Sequence, residues 1–214
     1  MQTDAVIDNL VRRVRPIPRF AVERRIGMMA AIGGAVSMAL LARSFGVRPD
    51  LATAIDTPSF WMKAAYVGVI LLIALTLLAD FARPETNPSR RLALLAAPVL
   101  ALSALAAVEL FSTASSGWGA MIMGMTSGKC SLRIVFFAIP SLIALMAAFR
   151  RFAPTHLAQT GATIGAAAGA IGALVYLLYC RDVAAGFVLV WYTLGILATA
   201  SVGALLGPKL LHWR

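Results

Sequence analysis

Six apolar runs, each close to the length that crosses a bilayer, dominate this 214-residue chain. They fall at 26–42, 60–79, 92–111, 134–149, 157–179 and 187–206, separated by charged or short polar stretches. A hydrocarbon core takes about 20 helical residues to cross, and within it a segment must satisfy its own backbone N–H and C=O groups. The pattern predicts an all-α fold, a polytopic membrane protein built as a bundle of six transmembrane helices. A hydrophobic share of 60% with 13% charged residues lies far from the roughly 45–50% and about 25% of globular chains. Residues 1–25 then form a cytoplasmic N-terminal segment, 26–207 the transmembrane domain and 208–214 a cytoplasmic tail. The first run follows basic residues, as a signal peptide does, but it outlasts such a core. Arg43 stands where a small-residue cleavage site belongs, so it reads as a helix.

Nineteen Lys and Arg against nine acidic residues suggest nucleic acid at first sight, but their placement points to topology. Thirteen lie before the first run and after the second, fourth and sixth; the other six are Arg43, Arg48, Lys63, Lys129, Arg133 and Arg181. The positive-inside rule puts both termini in the cytoplasm. Cys130 and Cys180, the only cysteines, then fall on the opposite side. Counted along the helices from the short connection near Ala153, both stand roughly 35–40 Å above it at about 1.5 Å per residue. The thiols share a depth, and the short connection between the fourth and fifth runs makes those helices antiparallel neighbours.

In the fifth run Gly161, Gly165 and Gly169 recur every fourth residue, with Gly172 a turn further on; the sixth carries Gly195, Thr199, Gly203 and Gly207. Small residues on one stripe let helix backbones approach closely in lipid, and the two stripes are expected to pack together. Glu109 is the one acid within a predicted run. Near the outer end of the third helix it suits an interfacial hydrogen-bonding role better than proton relay, because no second acid completes a path. The stretch "SSGWGAMIMGMTSGKC" is too short to cross and too apolar for an ordinary loop. It reads as an interfacial segment in which Met121, Met123 and Met125 face lipid or, as the alternative, offer thioethers to a soft metal.

Ahead of the first run, Val6, Ile7, Leu10 and Val11 fall on one helical face, with Arg12 and Arg13 behind them. Thr3 serves as N-cap and Arg15 before Pro16 as the stop. This short amphipathic helix suits anionic lipid or a cytoplasmic protein, and it is assigned provisionally as a partner-binding surface. The chain has no Walker loop, H-E-x-x-H, G-x-S-x-G or C-x-x-C, so no enzymatic motif is present. His156 and His212 fall on the inner side and cannot join the thiols in a zinc cluster. Cys130 and Cys180 read either as small buried filler or as a working pair. A pair could close a reversible disulfide or a two-thiolate metal clip, with Lys129 and Arg181 as the basic neighbours that favour thiolates.

The segments "KCSLRIVFFAIPSL", "RRFAPT", "GAAAGAIGALVYLLYC" and "VWYTLGILATASVGALLGPKLLHW", together with the head "DNLVRRVRPIP", resemble the NrsF-type negative regulators of sigma factor F. That resemblance implies a six-span protein of the bacterial inner membrane. Such a protein is an anti-sigma factor that sequesters an extracytoplasmic-function sigma factor and releases it under heavy-metal or oxidative stress. It also places the family's paired cysteines on Cys130 and Cys180. No resident cofactor is expected, only a heavy-metal ion held transiently by those two residues. The alternative reading is a small membrane transporter or redox carrier, for which the glycine-rich helices and Glu109 would speak.

Overall fold

The computed structural model describes residues 20–83, 88–125, 127–152 and 154–212. The segment expected to carry Val6, Ile7, Leu10, Val11, Arg12 and Arg13 lies outside them. Six long helices form a bundle: α1 (Ala21–Ser44), α2 (Pro58–Phe81), α3 (Ala96–Phe111), α4 (Ser127–Phe149), α5 (Leu157–Leu177) and α6 (Thr193–Leu210). A 3-10 stretch, Pro88–Leu95, leads into α3, and a short turn with a π segment, Ala185–Tyr192, leads into α6. The described residues contain no strand. With these lead-ins, six helical segments are long and apolar enough to cross a membrane.

Local chemistry sets several of the helix ends. Pro58 opens α2 behind an extended Thr57, where its fixed φ suits the first helical position and its missing N–H would have had no partner anyway. Gly46, at φ 73°, closes α1 by donating its N–H to the Leu41 carbonyl at 2.9 Å; a left-handed φ is open to glycine at no Cβ cost. The helix α4 starts seven residues ahead of its apolar run, so Cys130 lies inside its first turn. The end of α5 at Leu177 leaves Cys180 just beyond it.

The centre of the bundle is α5. Sixteen of its 21 residues are buried, and α6, α4, α2 and α1 all pack on it. A helix surrounded on so many sides must be thin, which explains its run of Gly and Ala. Gly161 lies against the Gly203 carbonyl, Gly165 against the Thr199 carbonyl, and Gly169 against the Thr199 hydroxyl and Ile196. The two glycine stripes do not form one seam throughout. Gly172 faces α4 at Ile134 and Ala138, and Gly195 also meets Ile134. Buried hydroxyls add to this packing: Ser37 of α1 reaches the Phe137 carbonyl of α4 at 2.7 Å, and Ser131 of α4 donates to the Trp191 carbonyl at 2.7 Å.

The outer surface is apolar along the helices, with Leu72, Leu100, Ile143, Leu197 and Leu205 all largely exposed. A contiguous apolar surface of this kind is what lipid covers. At the end where α1 starts and α6 finishes, Arg83 pairs with Glu23 and Arg91 with Asp80 at 2.9 Å.

The α5–α6 contact makes a testable prediction. A methyl group placed on Gly165 or Gly203 runs into backbone of the facing helix, so Gly165→Ala and Gly203→Ala should each destabilise by about 1–3 kcal/mol, the usual cost of overpacking. Gly68→Ala, where the methyl meets no atom within 4 Å, should be neutral or stabilising by up to about 1 kcal/mol. Thermal unfolding in detergent, followed by circular dichroism, compares them; equal melting of all three variants would show that the close approach carries no stability.

Candidate functional site

The two cysteines meet. Cys130, in the first turn of α4, and Cys180, on the turn after α5, are both free thiols, both buried and both part of one core cluster, where their side chains interact directly. A disulfide between them requires Cα atoms within about 7 Å. The antiparallel course of α4 and α5 accounts for their meeting, because one cysteine opens the first helix and the other follows the second at the same end of the bundle.

The turn that carries Cys180 is held from two sides. Leu178 and Tyr179 fold back on Val175 and Tyr176, and Cys180 donates its N–H to the Tyr176 carbonyl at 3.0 Å. Lys63 of α2 then reaches the turn from within the bundle. It is 1% exposed, the one charged side chain that is fully buried among the described residues. Its Nζ donates to the Asp182 carbonyl at 2.7 Å and stands 3.5 Å from the Cys180 carbonyl. A buried ammonium is costly unless hydrogen-bonded, and these carbonyls supply the partners.

Arg48 grips the same turn from the loop after α1. Its backbone N–H donates to the Leu178 carbonyl at 3.1 Å, and its Nη1 donates to the Cys180 carbonyl at 3.2 Å. The rest of the guanidinium forks onto Asp50, with Nε–Oδ1 at 3.0 Å and Nη2–Oδ2 at 2.6 Å. Bidentate pairing of this kind fixes orientation as well as charge. The pairing raises the pKa of Arg48. It lowers that of Asp50 to about 2, chiefly through the hydrogen bonds from Arg48.

Two tyrosines wall the thiols. Tyr176 faces Cys130 and Tyr192 faces Cys180, with ring centroids 6.0 Å apart. The Tyr192 hydroxyl is buried and closes no well-directed hydrogen bond among the described residues. Tyr192 ends the π segment Val188–Tyr192, a local widening often found at functional sites. Above the pair, the Arg133 guanidinium lies over both Phe45 and Tyr179, at 4.8 Å and 5.0 Å from the ring centroids. The Cys180 thiol is held below the ordinary thiol range by the hydrogen bond from Cys130 and then by the Lys63 charge.

The cation beside the sulfurs is therefore Lys63. Lys129 is exposed, and the side chain of Arg181 is 63% exposed and leans toward Asp50 at 3.9 Å. In the sequence Lys63 already stood inside the second apolar run, and that was the available signal. Arg48, Tyr176 and Tyr192 carried no signal of their own, because only the fold brings them to the thiols.

The remaining polar groups of this end bind the connecting segments together. Glu109 accepts the Ala185 N–H at 2.8 Å, which places its charge at the start of the sixth span. Asp182 Oδ1 accepts the Met125 N–H at 2.9 Å, and Trp191 Nε1 donates to the Ile122 carbonyl at 2.9 Å. Met123 and Met125 are exposed, while Met121 is half-buried. No group of three or more His, Cys, Asp and Glu side chains that could hold a metal ion occurs among the described residues.

A family model described as the negative regulator of sigma F, NrsF, matches residues 10–213. The chain is 32% identical over 219 residues to the anti-sigma-F factor NrsF of Caulobacter vibrioides. It is 30% identical over 213 residues to a protein of Azospira oryzae named as a probable anti-sigma-F factor NrsF. Each of these alignments covers the whole of both chains. No solved structure matches. A caged thiol pair at one end of a six-helix bundle thus occurs in a chain that belongs to the NrsF family of anti-sigma-F factors, a regulatory and non-enzymatic class.

Proposed function

We propose that this protein sequesters an extracytoplasmic-function sigma factor at the bacterial inner membrane and releases it when Cys130 and Cys180 are oxidised or bridged by a heavy-metal ion. The observation that carries this reading is the contact between the two thiols, inside a cage built from α2, α4, α5 and the start of the sixth span. Free cysteine is commonly inert filler. Two that touch each other beside a buried ammonium form a site where a two-electron oxidant or a soft cation can change the covalent state.

The excess of Lys and Arg in the segments of the terminal end supports a cytoplasmic location for both termini. The thiols then face the more oxidising compartment, where disulfides persist. A sigma factor works where transcription occurs, so its contact surface falls at the opposite end from the thiols. The N-terminal residues Val6, Ile7, Leu10, Val11, Arg12 and Arg13 are the proposed contact, joined by the neighbouring inner loops. Bridging the sulfurs pulls the start of α4 against the turn after α5, and α5 packs tightly along α6 toward the inner end. A switch from 99% bound to 99% free requires about 5.5 kcal/mol of differential affinity, and smaller shifts require less.

Pull-down of the sigma factor from detergent-solubilised membranes tests the reading. Treatment with diamide or with Cd²⁺ should strip most of the sigma factor from the unmodified protein, a loss of tenfold or more. The Cys130→Ser/Cys180→Ser double variant should retain it under both treatments. Release from the double variant equal to that from the unmodified protein would exclude the thiols as the sensor.

The Arg48–Asp50 clasp gives a pH prediction. With its folded pKa lowered from an ordinary 3.8 to about 2, Asp50 stabilises the clasp fully above the ordinary value, and the contribution disappears as pH falls through the folded one. The difference in thermal stability between the unmodified protein and Asp50→Asn should therefore be constant from pH 8 to pH 5 and should vanish near pH 2. A difference that instead decayed between pH 7 and pH 5 would show that another group controls the turn.

A further inference from the structure

We propose that the two thiols act in a fixed order: an oxidant reaches Cys180 first, through a cavity that opens beside it, and Cys130 completes the bridge from the buried side. The inference rests on the reading of the pair as the sensor and assigns each sulfur its part. A cavity of about 380 Å³ lies at this end of the bundle, bordered by Arg48, Met125, Tyr176, Tyr179, Cys180 and Asp182. Cys130 does not border it and is fully buried within α4. A water molecule accounts for about 30 Å³ of liquid, so the space admits a small peroxide with room to turn.

The backbones differ in the same sense. Cys130 is fixed by the helical hydrogen bonds of α4 and has Ser131 tied to Trp191 beside it. Cys180 lies on a non-helical turn held by Lys63 and Arg48 through its carbonyls, at the edge of the cavity. Reaction with a hydroperoxide balances in two steps. The Cys180 sulfur gives up its proton and attacks one peroxide oxygen; the S–O bond forms, the O–O bond breaks, and the leaving oxygen departs as an alcohol or as water. Cys180 is then a sulfenic acid, oxidised by two electrons. The Cys130 sulfur, losing its own proton, attacks the Cys180 sulfur; the S–S bond forms, the S–O bond breaks, and water leaves.

The order is tested on the full-length protein in membranes, without substitution, by pulse labelling of the reduced protein with limiting iodoacetamide. After quenching and unfolding, N-ethylmaleimide marks the remaining thiols, and peptide mass spectrometry counts both labels at each site. Cys180 should be alkylated at least tenfold faster than Cys130. Equal rates, or faster labelling of Cys130, would overturn the assignment. Hydrogen peroxide with dimedone as the trap adds a second readout. Cys130→Ser should accumulate the adduct on Cys180, whereas a comparable adduct on Cys130 in Cys180→Ser would count against the order. These readouts do not involve the sigma factor. A reversed order with thiol-dependent release would sink only this inference; the proposed order without thiol-dependent release would sink only the sensor reading.

Discussion

The close approach of α5 to its neighbours is the constraint on which the rest of the bundle depends. Lipid offers helices no hydrophobic drive to associate, so packing and hydrogen bonding must hold them together. Here the central helix is made thin enough for carbonyl groups and Cα atoms of α6 to touch its glycines, while α4 lies against Gly172. That arrangement fixes where α5 ends, and hence where Cys180 stands. The same packing aligns the start of α4, so that Cys130 arrives at the same level from the opposite chain direction.

Polar chemistry is concentrated at that end. Lys63, Arg48 and Asp182 hold the turn or its neighbours, and Glu109 meets the first N–H of the sixth span. Each of these groups satisfies backbone atoms that a membrane protein cannot leave unpaired away from water. The cage is thus partly a solution to a backbone problem, and the electrostatic effect on Cys180 follows from the same Lys63 that satisfies the carbonyls. Removing that ammonium would take a donor from the Asp182 and Cys180 carbonyls and withdraw a positive charge from the sulfur at once.

The number and type of helices were legible because roughly twenty-residue apolar runs in lipid leave few alternatives. Helix ends were less legible. Hydropathy marks where hydrocarbon begins, whereas the hydrogen-bonded helix continues through polar residues such as Lys129 and Arg133, so α4 starts well before its apolar run. The shared depth of Cys130 and Cys180 followed from counting residues, but contact between them depends on lateral packing, which a count of rise per residue does not contain. Lys63 shows a different limit. Its position within an apolar run marked it as unusual, yet the carbonyls it serves lie more than a hundred residues away in sequence, and no local pattern connects them.

How a change at the sulfurs could travel follows from stiffness. Packed interfaces shift between discrete arrangements more readily than they deform continuously, and at Gly161, Gly165, Gly203 and Gly207 the α5–α6 seam sets backbone against backbone. On the proposed sensor reading, a covalent link between Cys130 and Cys180 draws α4 toward the turn that ends α5. Because Gly172 already lies against the Ile134 carbonyl and the backbone of Ala138, α4 cannot approach there without moving α5 as a body, and α6 with it. The π segment beside Tyr192 is the place where the sixth span has a widened turn to give up. The tight packing that holds the bundle together is also, on that reading, the route by which a change at the sulfurs reaches its other end.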